Sequence, residues 1–301
     1  MRMNRLPAIF LAAILSTSFA SFAQQLPAAL AHDPPADKAH PASMQSFQIP
    51  SHGQSMNAIA YLASGQGPHP VVFVLHGFPG NEKNLDLAQA IRRAGWNAIF
   101  FNYRGSWGTP GTFSFSNAIE DTQTAIAWLR EPANAARLHS DPKRIALVGH
   151  SMGGFMAAYA GSHDPAILGT ALISAANFHD WAGGDLKPEQ EQANHDRLVK
   201  SIEENDILPL AGCTAKGLAD EMLSHRKQWN FVDYAAMFGK RPLLVITSDD
   251  GLMPGNVRLA ENVRKLGNSR VTEQHFATDH SYSDKRIALE AEVLNWLATF
   301  K

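Results

Sequence analysis

Cysteine is almost missing from this 301-residue sequence, and its one example, Cys213, already narrows the chemistry. A single thiol closes no disulfide within the chain and builds no thiolate zinc site. An excess of positive charge is missing too, since 26 Lys+Arg stand against 28 Asp+Glu. A chain so balanced has no basic stripe to neutralise phosphates, which argues against nucleic acid as a partner. At 45% hydrophobic and 18% charged residues, the composition matches neither a disordered segment nor a polytopic membrane protein. The 13 histidines fall into no metal-ligand spacing, so no metal is expected. Cys213 lies apart from every motif and reads as a small packed hydrophobe rather than a nucleophile. The length suits one large α/β domain or two modest ones and is ample for a sizeable core.

The first 23 residues have the pattern of an export signal. Arg2 and Arg5 precede an uncharged apolar run over residues 6–20, and Ser21-Phe22-Ala23 places small residues at −3 and −1 of a cleavage point. The apolar run is shorter than the ~20 residues that span a bilayer, so a lasting membrane anchor is not expected. Residues 1–23 are therefore read as a bacterial-type signal peptide of a periplasmic or secreted protein. Residues 24–43, rich in Ala and Pro, read as a flexible leader.

From Met44 onward, strand-like runs alternate with helical patterns. Strands are expected at 45–49, 56–62, 71–75, 97–102, 144–148, 168–174, 242–247 and 271–276. The run Val71-Val72-Phe73-Val74-Leu75 is apolar throughout, as a strand covered on both faces requires. Asn117 followed by Glu120 suggests a capping box at the start of a helix with Ile119, Thr122, Ile126 and Leu129 facing inward. Repeated βα units imply right-handed crossovers and a mostly parallel, doubly wound sheet of about eight strands with helices on both faces. The alternation breaks over residues 176–240, which are charged and helical in pattern. They are read as a helical cap inserted after the sixth strand and covering the sheet's C-terminal edge, rather than as solvated decoration. The core is then divided into residues 44–175 and 241–301.

Gly149-His150-Ser151-Met152-Gly153 matches G-x-S-x-G directly after an apolar strand and at the start of a helix. That strand, sharp turn and helix lift a serine hydroxyl above a sheet. An N-cap role explains Ser151 but leaves both glycines, Gly149 and Gly153, unexplained. A nucleophilic serine needs a base and an acid that orients it. His280 follows the last strand and is the expected base, whereas His275 lies within the strand pattern. Asp249 and Asp250 follow the seventh strand. Asp250 is preferred and Asp249 stays open, because one sequence does not fix the register of a loop; Asp279 adjoins His280 too closely to orient it. Backbone N–H groups of Met152 and Phe78 are the expected oxyanion donors. His76, Gly77 and Gly80, with Pro79, shape the loop that carries Phe78.

With these residues in place, the sequence from about Met44 to Lys301 resembles the α/β-hydrolase superfamily. The chain order Ser151, Asp250, His280 is that superfamily's order, and the Asp250 to Pro254 spacing resembles its acid loop. Asn102-Tyr103-Arg104-Gly105-Ser106-Trp107-Gly108, with Asp121 beyond, resembles the prolyl-oligopeptidase-like peptidases and related esterases, although no propeller domain is present. The resemblance implies serine-dependent acyl transfer without a cofactor and leaves ester against amide open. A carboxylic ester hydrolase acting on small acyl esters is the favoured expectation. An aminopeptidase or oligopeptide hydrolase would need an acidic or aromatic anchor for the substrate amine; the cap offers Asp185, Glu189 and Glu191, although a solvated helix face is the favoured reading of these acids. The same residues would also serve an acyltransferase, in which a nucleophile other than water accepts the acyl group. A non-catalytic binding module is the least favoured expectation, since all three catalytic positions are filled.

Overall fold

The computed structural model describes residues 26–300, so the expected signal over residues 1–23 lies outside them. Eight strands form one sheet: β1 Ser43–Ser51, β2 Gln54–Leu62, β3 His69–Leu75, β4 Asn97–Phe101, β5 Ser140–His150, β6 Gly169–Ile173, β7 Leu243–Thr247 and β8 Val271–His275. Their order is β1-β2-β4-β3-β5-β6-β7-β8. β1 and β2 form an antiparallel hairpin, β2 runs antiparallel to β4, and every later pairing is parallel. The expected mostly parallel sheet of eight strands is thus present.

Side-chain alternation divides the core into two layers. Val71, Phe73 and Leu75 of β3 face one apolar cluster, together with Ile145 and Leu147 of β5 and Leu243 and Val245 of β7. Val72, Val74, Ala146, Val148, Leu244 and Ile246 face the other. A strand buried on both faces needs apolar residues at every position, which explains why these runs are continuous rather than alternating. Helices α3 (Phe115–Arg130), α5 (Met152–His163) and α9 (Met253–Lys265) cover the first layer. Helices α2 (Leu85–Arg93) and α10 (Arg286–Leu297) cover the second. Within the segment read as a leader, α1 (Ala28–Ala31) is a single turn seated against α2, and Arg93 Nε donates to Ala29 O at 2.5 Å. A further short helix, α4 (Pro132–Arg137), leads into β5.

Two boundaries differ from expectation. The α3 cap is Ser114, whose Oγ accepts from the Asn117 N–H at 3.0 Å. Asn117 lies inside the first turn, with its side-chain amide turned to Thr112 O at 2.8 Å, so the expected capping box at Asn117 and Glu120 does not form. β5 begins at Ser140 because that residue pairs with His69, ahead of a register shift in β3.

The chain between β6 and β7 is helical. It holds α6 (Phe178–Trp181), a 3-10 turn at Pro188–Gln190, α7 (Glu191–Glu204), α8 (Ala215–Ser224) and a 3-10 segment at Phe231–Phe238. Leu198 and Ile202 of α7 and Leu218, Ala219 and Met222 of α8 are buried on the first layer's cluster. The Glu221 carboxylate also accepts from the Phe115 and Ser116 N–H groups, both at 2.9 Å. A negative charge at the N-terminus of α3 complements the helix dipole and fastens this segment to the core. Among the described residues, no helix is long and apolar enough to cross a membrane.

Candidate active site

The strand order reverses at β3, whose neighbours are β4 on one side and β5 on the other. In open α/β sheets, ligands enter the crevice at the carboxyl ends of the strands where the order reverses. There β5 ends at His150 and runs through Ser151 into α5, while β3 ends in His76, Gly77 and Phe78. Ser151 has φ 57° and ψ −121°, a left-handed conformation that a non-glycine residue adopts at a cost. Its N–H donates to Ile173 O at 2.9 Å, which fixes the turn to β6. The flanking glycines are obligatory on steric grounds. A Cβ on Gly149 would lie 2.0 Å from Gly153 O, and one on Gly153 would lie 2.1 Å from Leu75 O.

A cleft of about 320 Å³ opens over Ser151, lined by Gly77, Phe78, Gly80, His150 and His280 among others. His280 Nδ1 and Asp250 Oδ2 are 2.7 Å apart. Asp250 is almost buried, and burial alone would raise its pKa; hydrogen bonds from His280, Ser174 and the Leu252 N–H outweigh that and hold it well below the ordinary carboxylate range. Asp250 therefore stays ionised and accepts the Nδ1–H, leaving Nε2 of His280 as the free nitrogen. Ser174 Oγ also lies 2.8 Å from Tyr282 Oη and 3.0 Å from Ser248 Oγ, so Asp250 sits in a connected polar network. Ser151 Oγ makes no side-chain hydrogen bond among the described residues.

The structure separates the other candidates. Asp249 is exposed and faces His275 Nε2 at 3.2 Å, away from His280. Asp279 accepts from the N–H and hydroxyl of Ser283. On the oxyanion side, the N–H groups of Phe78 and Met152 donate to no protein acceptor among the described residues. Gly77 brings the Phe78 loop close to Ser151, because a Cβ there would stand 2.9 Å from Ser151 Cβ. Gly80 has φ 104° and leaves room for the Trp107 and His76 rings. Buried His76 donates through Nδ1 to Gly77 O at 2.8 Å, and burial pushes its pKa down to about 4, so it is a neutral brace for the loop.

Sequence reasoning missed His150. Its ring lies 4.6 Å from that of His280, and its Nε2–H donates to the His280 carbonyl at 2.8 Å. Burial and the neighbouring His280 push its pKa down to about 3, so it is neutral. The sequence marks it only as the variable residue before Ser151. The acids offered as an amine anchor stand away from the cleft, as their reading as a solvated helix face expects. Glu191 is tied to Arg226 at 2.8 Å, and neither Asp185 nor Glu189 lines the cleft. The residues between β6 and β7 that do line it are Glu204, Asn205 and Asp206 at the end of α7, and Glu82 lines it as well. Cys213 packs against the first layer's core, and burial raises its thiol pKa. Among the described residues, no group of three or more His, Cys, Asp or Glu could hold a metal ion.

The α/β hydrolase fold family model matches residues 70–199. The chain is 29% identical over 125 residues to the uncharacterized protein Rv2307c of Mycobacterium tuberculosis, a match covering 41% of this chain and 43% of that protein. It is 33% identical over 115 residues to the uncharacterized protein YfhR of Escherichia coli, covering 37% and 34%. The chain thus aligns with less than half the length of these curated relatives. Among solved structures, the Pyrococcus furiosus esterase Pf2001 superposes with a TM-score of 0.62 at 17% identity, over 89% of this chain and 97% of that one. A Pyrococcus horikoshii acylaminoacyl peptidase gives 0.62 at 16% identity, over 85% and 41%. Sheet order, the turn at Ser151 and the partial family match agree: the chain has the α/β hydrolase fold.

Proposed function

We propose that this protein is a serine hydrolase that cleaves carboxylic esters through an acyl-enzyme on Ser151. The observation that carries the reading is the 2.7 Å contact between His280 Nδ1 and Asp250, on a cleft shared with Ser151. His280 Nε2 takes the Ser151 proton as Oγ attacks the acyl carbonyl. Asp250 holds the tautomer and stabilises the imidazolium that forms. The Phe78 and Met152 N–H groups receive the developing oxyanion, and preorganised donors of this kind act most strongly in the transition state. His280 then protonates the leaving alcohol, and water releases the acid by the reverse steps. No cofactor enters this scheme.

Cleavage of short peptides or aminoacyl amides is the second reading. It is favoured by Glu82, Glu204 and Asp206 around the cleft, whose charge suits a substrate amine. A p-nitrophenyl ester series of increasing acyl length, assayed beside aminoacyl-p-nitroanilides, separates the two. The ester reading expects turnover of short-chain and mid-chain esters that exceeds anilide turnover. Anilide turnover without ester turnover overturns it. We further propose that residues 1–23 direct export, which N-terminal sequencing of protein recovered from the periplasm or medium of a bacterial host tests. A chain retained with Met1 in the cytosol contradicts that assignment.

A further inference from the structure

Trp107 joins three parts of the molecule that the chain keeps far apart. It sits in the loop after β4, half-buried, with φ 48°. Its main-chain N–H donates to Pro209 O at 2.9 Å, in the strap that runs from α7 to α8. Two neighbouring bonds extend that attachment: Ala211 N–H to Gly105 O at 2.7 Å and Phe113 N–H to Ala211 O at 2.9 Å. The same strap begins with Asn205 and Asp206, which line the cleft. The Trp107 indole points the other way, and its Nε1–H donates to Pro79 O at 2.7 Å. Pro79 follows Phe78, whose N–H is the oxyanion donor in the proposed mechanism. Lys83 Nζ rests 3.9 Å from the indole centroid and holds the outer face of the ring.

We propose that Trp107 is a positioning residue that couples the substrate-facing strap of the cap to the Phe78 loop, so that docking of the strap sets the oxyanion donor. The inference rests on the serine hydrolase reading above. Without the indole N–H, Pro79 O loses its only side-chain tether among the described residues, and the Phe78 N–H is free to drift from the oxyanion position. An oxyanion contact is made in the transition state and not in the ground state, so its loss lowers kcat and spares KM.

The test compares wild type, Trp107→Phe and Trp107→His on one p-nitrophenyl ester, with active sites titrated by a fluorophosphonate so that kcat is expressed per competent site. Phe keeps an aromatic ring for Lys83 but has no donor; neutral His places an Nε2–H close to the position of the indole N–H. Removing one oxyanion donor outright costs about a hundredfold or more, so displacing it in Trp107→Phe is expected to lower kcat per site about tenfold or more. KM should stay within about threefold, and Trp107→His at pH 8 should recover most of the rate. The coupling is overturned if Trp107→Phe keeps the wild-type kcat per site. It is equally overturned if His loses as much as Phe, since the role would then be bulk alone. A wild type that neither labels nor turns over esters overturns the hydrolase reading and this inference with it, an outcome distinct from an active wild type indifferent to Trp107.

Discussion

Asp249 and Asp250 are adjacent in sequence and placed on opposite sides of their loop, a difference set by two main-chain N–H contacts. The Asp249 N–H donates to Thr278 O at 3.1 Å, and the Leu252 N–H donates to Asp250 Oδ1 at 2.9 Å. Together they turn one carboxylate inward to His280 and leave the other at the surface with His275. Asp250→Asn is expected to lower kcat by ~10⁴, because the amide stabilises the wrong imidazole tautomer. Asp249→Asn should stay within about threefold of wild type, since an exposed pair contributes little. Steady-state ester kinetics on both variants check this, and the reverse ranking would move the acid to Asp249. The turn at Ser151, with Gly149 and Gly153 beside it, was legible from the sequence because a sharp strand-to-helix turn admits few residue types. His150 was not legible, since its role depends on a carbonyl 130 positions later.

At the scale of elements, the apolar runs of β3 to β7 announced themselves, because a strand covered on both faces has no polar position to spare. Elements held by remote partners did not. The direction in which α7 presents its acids depends on ties between Gly105, Trp107 and the 209–211 strap, and no periodicity encodes such ties. The junction of α2 and α10 behaves similarly and carries its own prediction. Glu290 on α10 is buried beside Asp86 on α2, and Arg286 holds Asp86 at 2.6 Å while reaching Ser281 O at 3.1 Å. Burial first, then the Asp86 charge, pushes Glu290 up to about 7. A carboxyl raised in the folded state binds its proton more tightly there than in the unfolded chain, whose Glu titrates near ~4.3. This contribution is fully present below that unfolded value and is lost as pH rises through about 7. Glu290→Gln removes the buried charge and should stabilise the protein by about 2 kcal/mol at pH 8, with little change at pH 4. Urea unfolding of both proteins at the two pH values reads the difference; equal shifts at both would refute the assignment to Glu290.

Across the whole molecule, the candidate site gathers at one edge. The C-terminal ends of β3, β5 and β8 bring the Phe78 loop, Ser151 and His280 to one crevice, β7 sets Asp250 behind His280, and the chain between β6 and β7 adds Glu204 to Asp206 to the lining. No disulfide braces this assembly, as the lone Cys213 dictates. Two apolar layers hold it instead, and charge-assisted ties such as Glu221 to the α3 N-terminus hold the cap to the core. The central claim of the account is that Ser151 is the nucleophile, and covalent labelling tests it most directly. Folded wild-type protein treated with a fluorophosphonate should gain the mass of one phosphonyl group, located by peptide mapping on Ser151, and Ser151→Ala should gain none. A wild type that gains no mass, or one whose adduct maps to another residue, would contradict it.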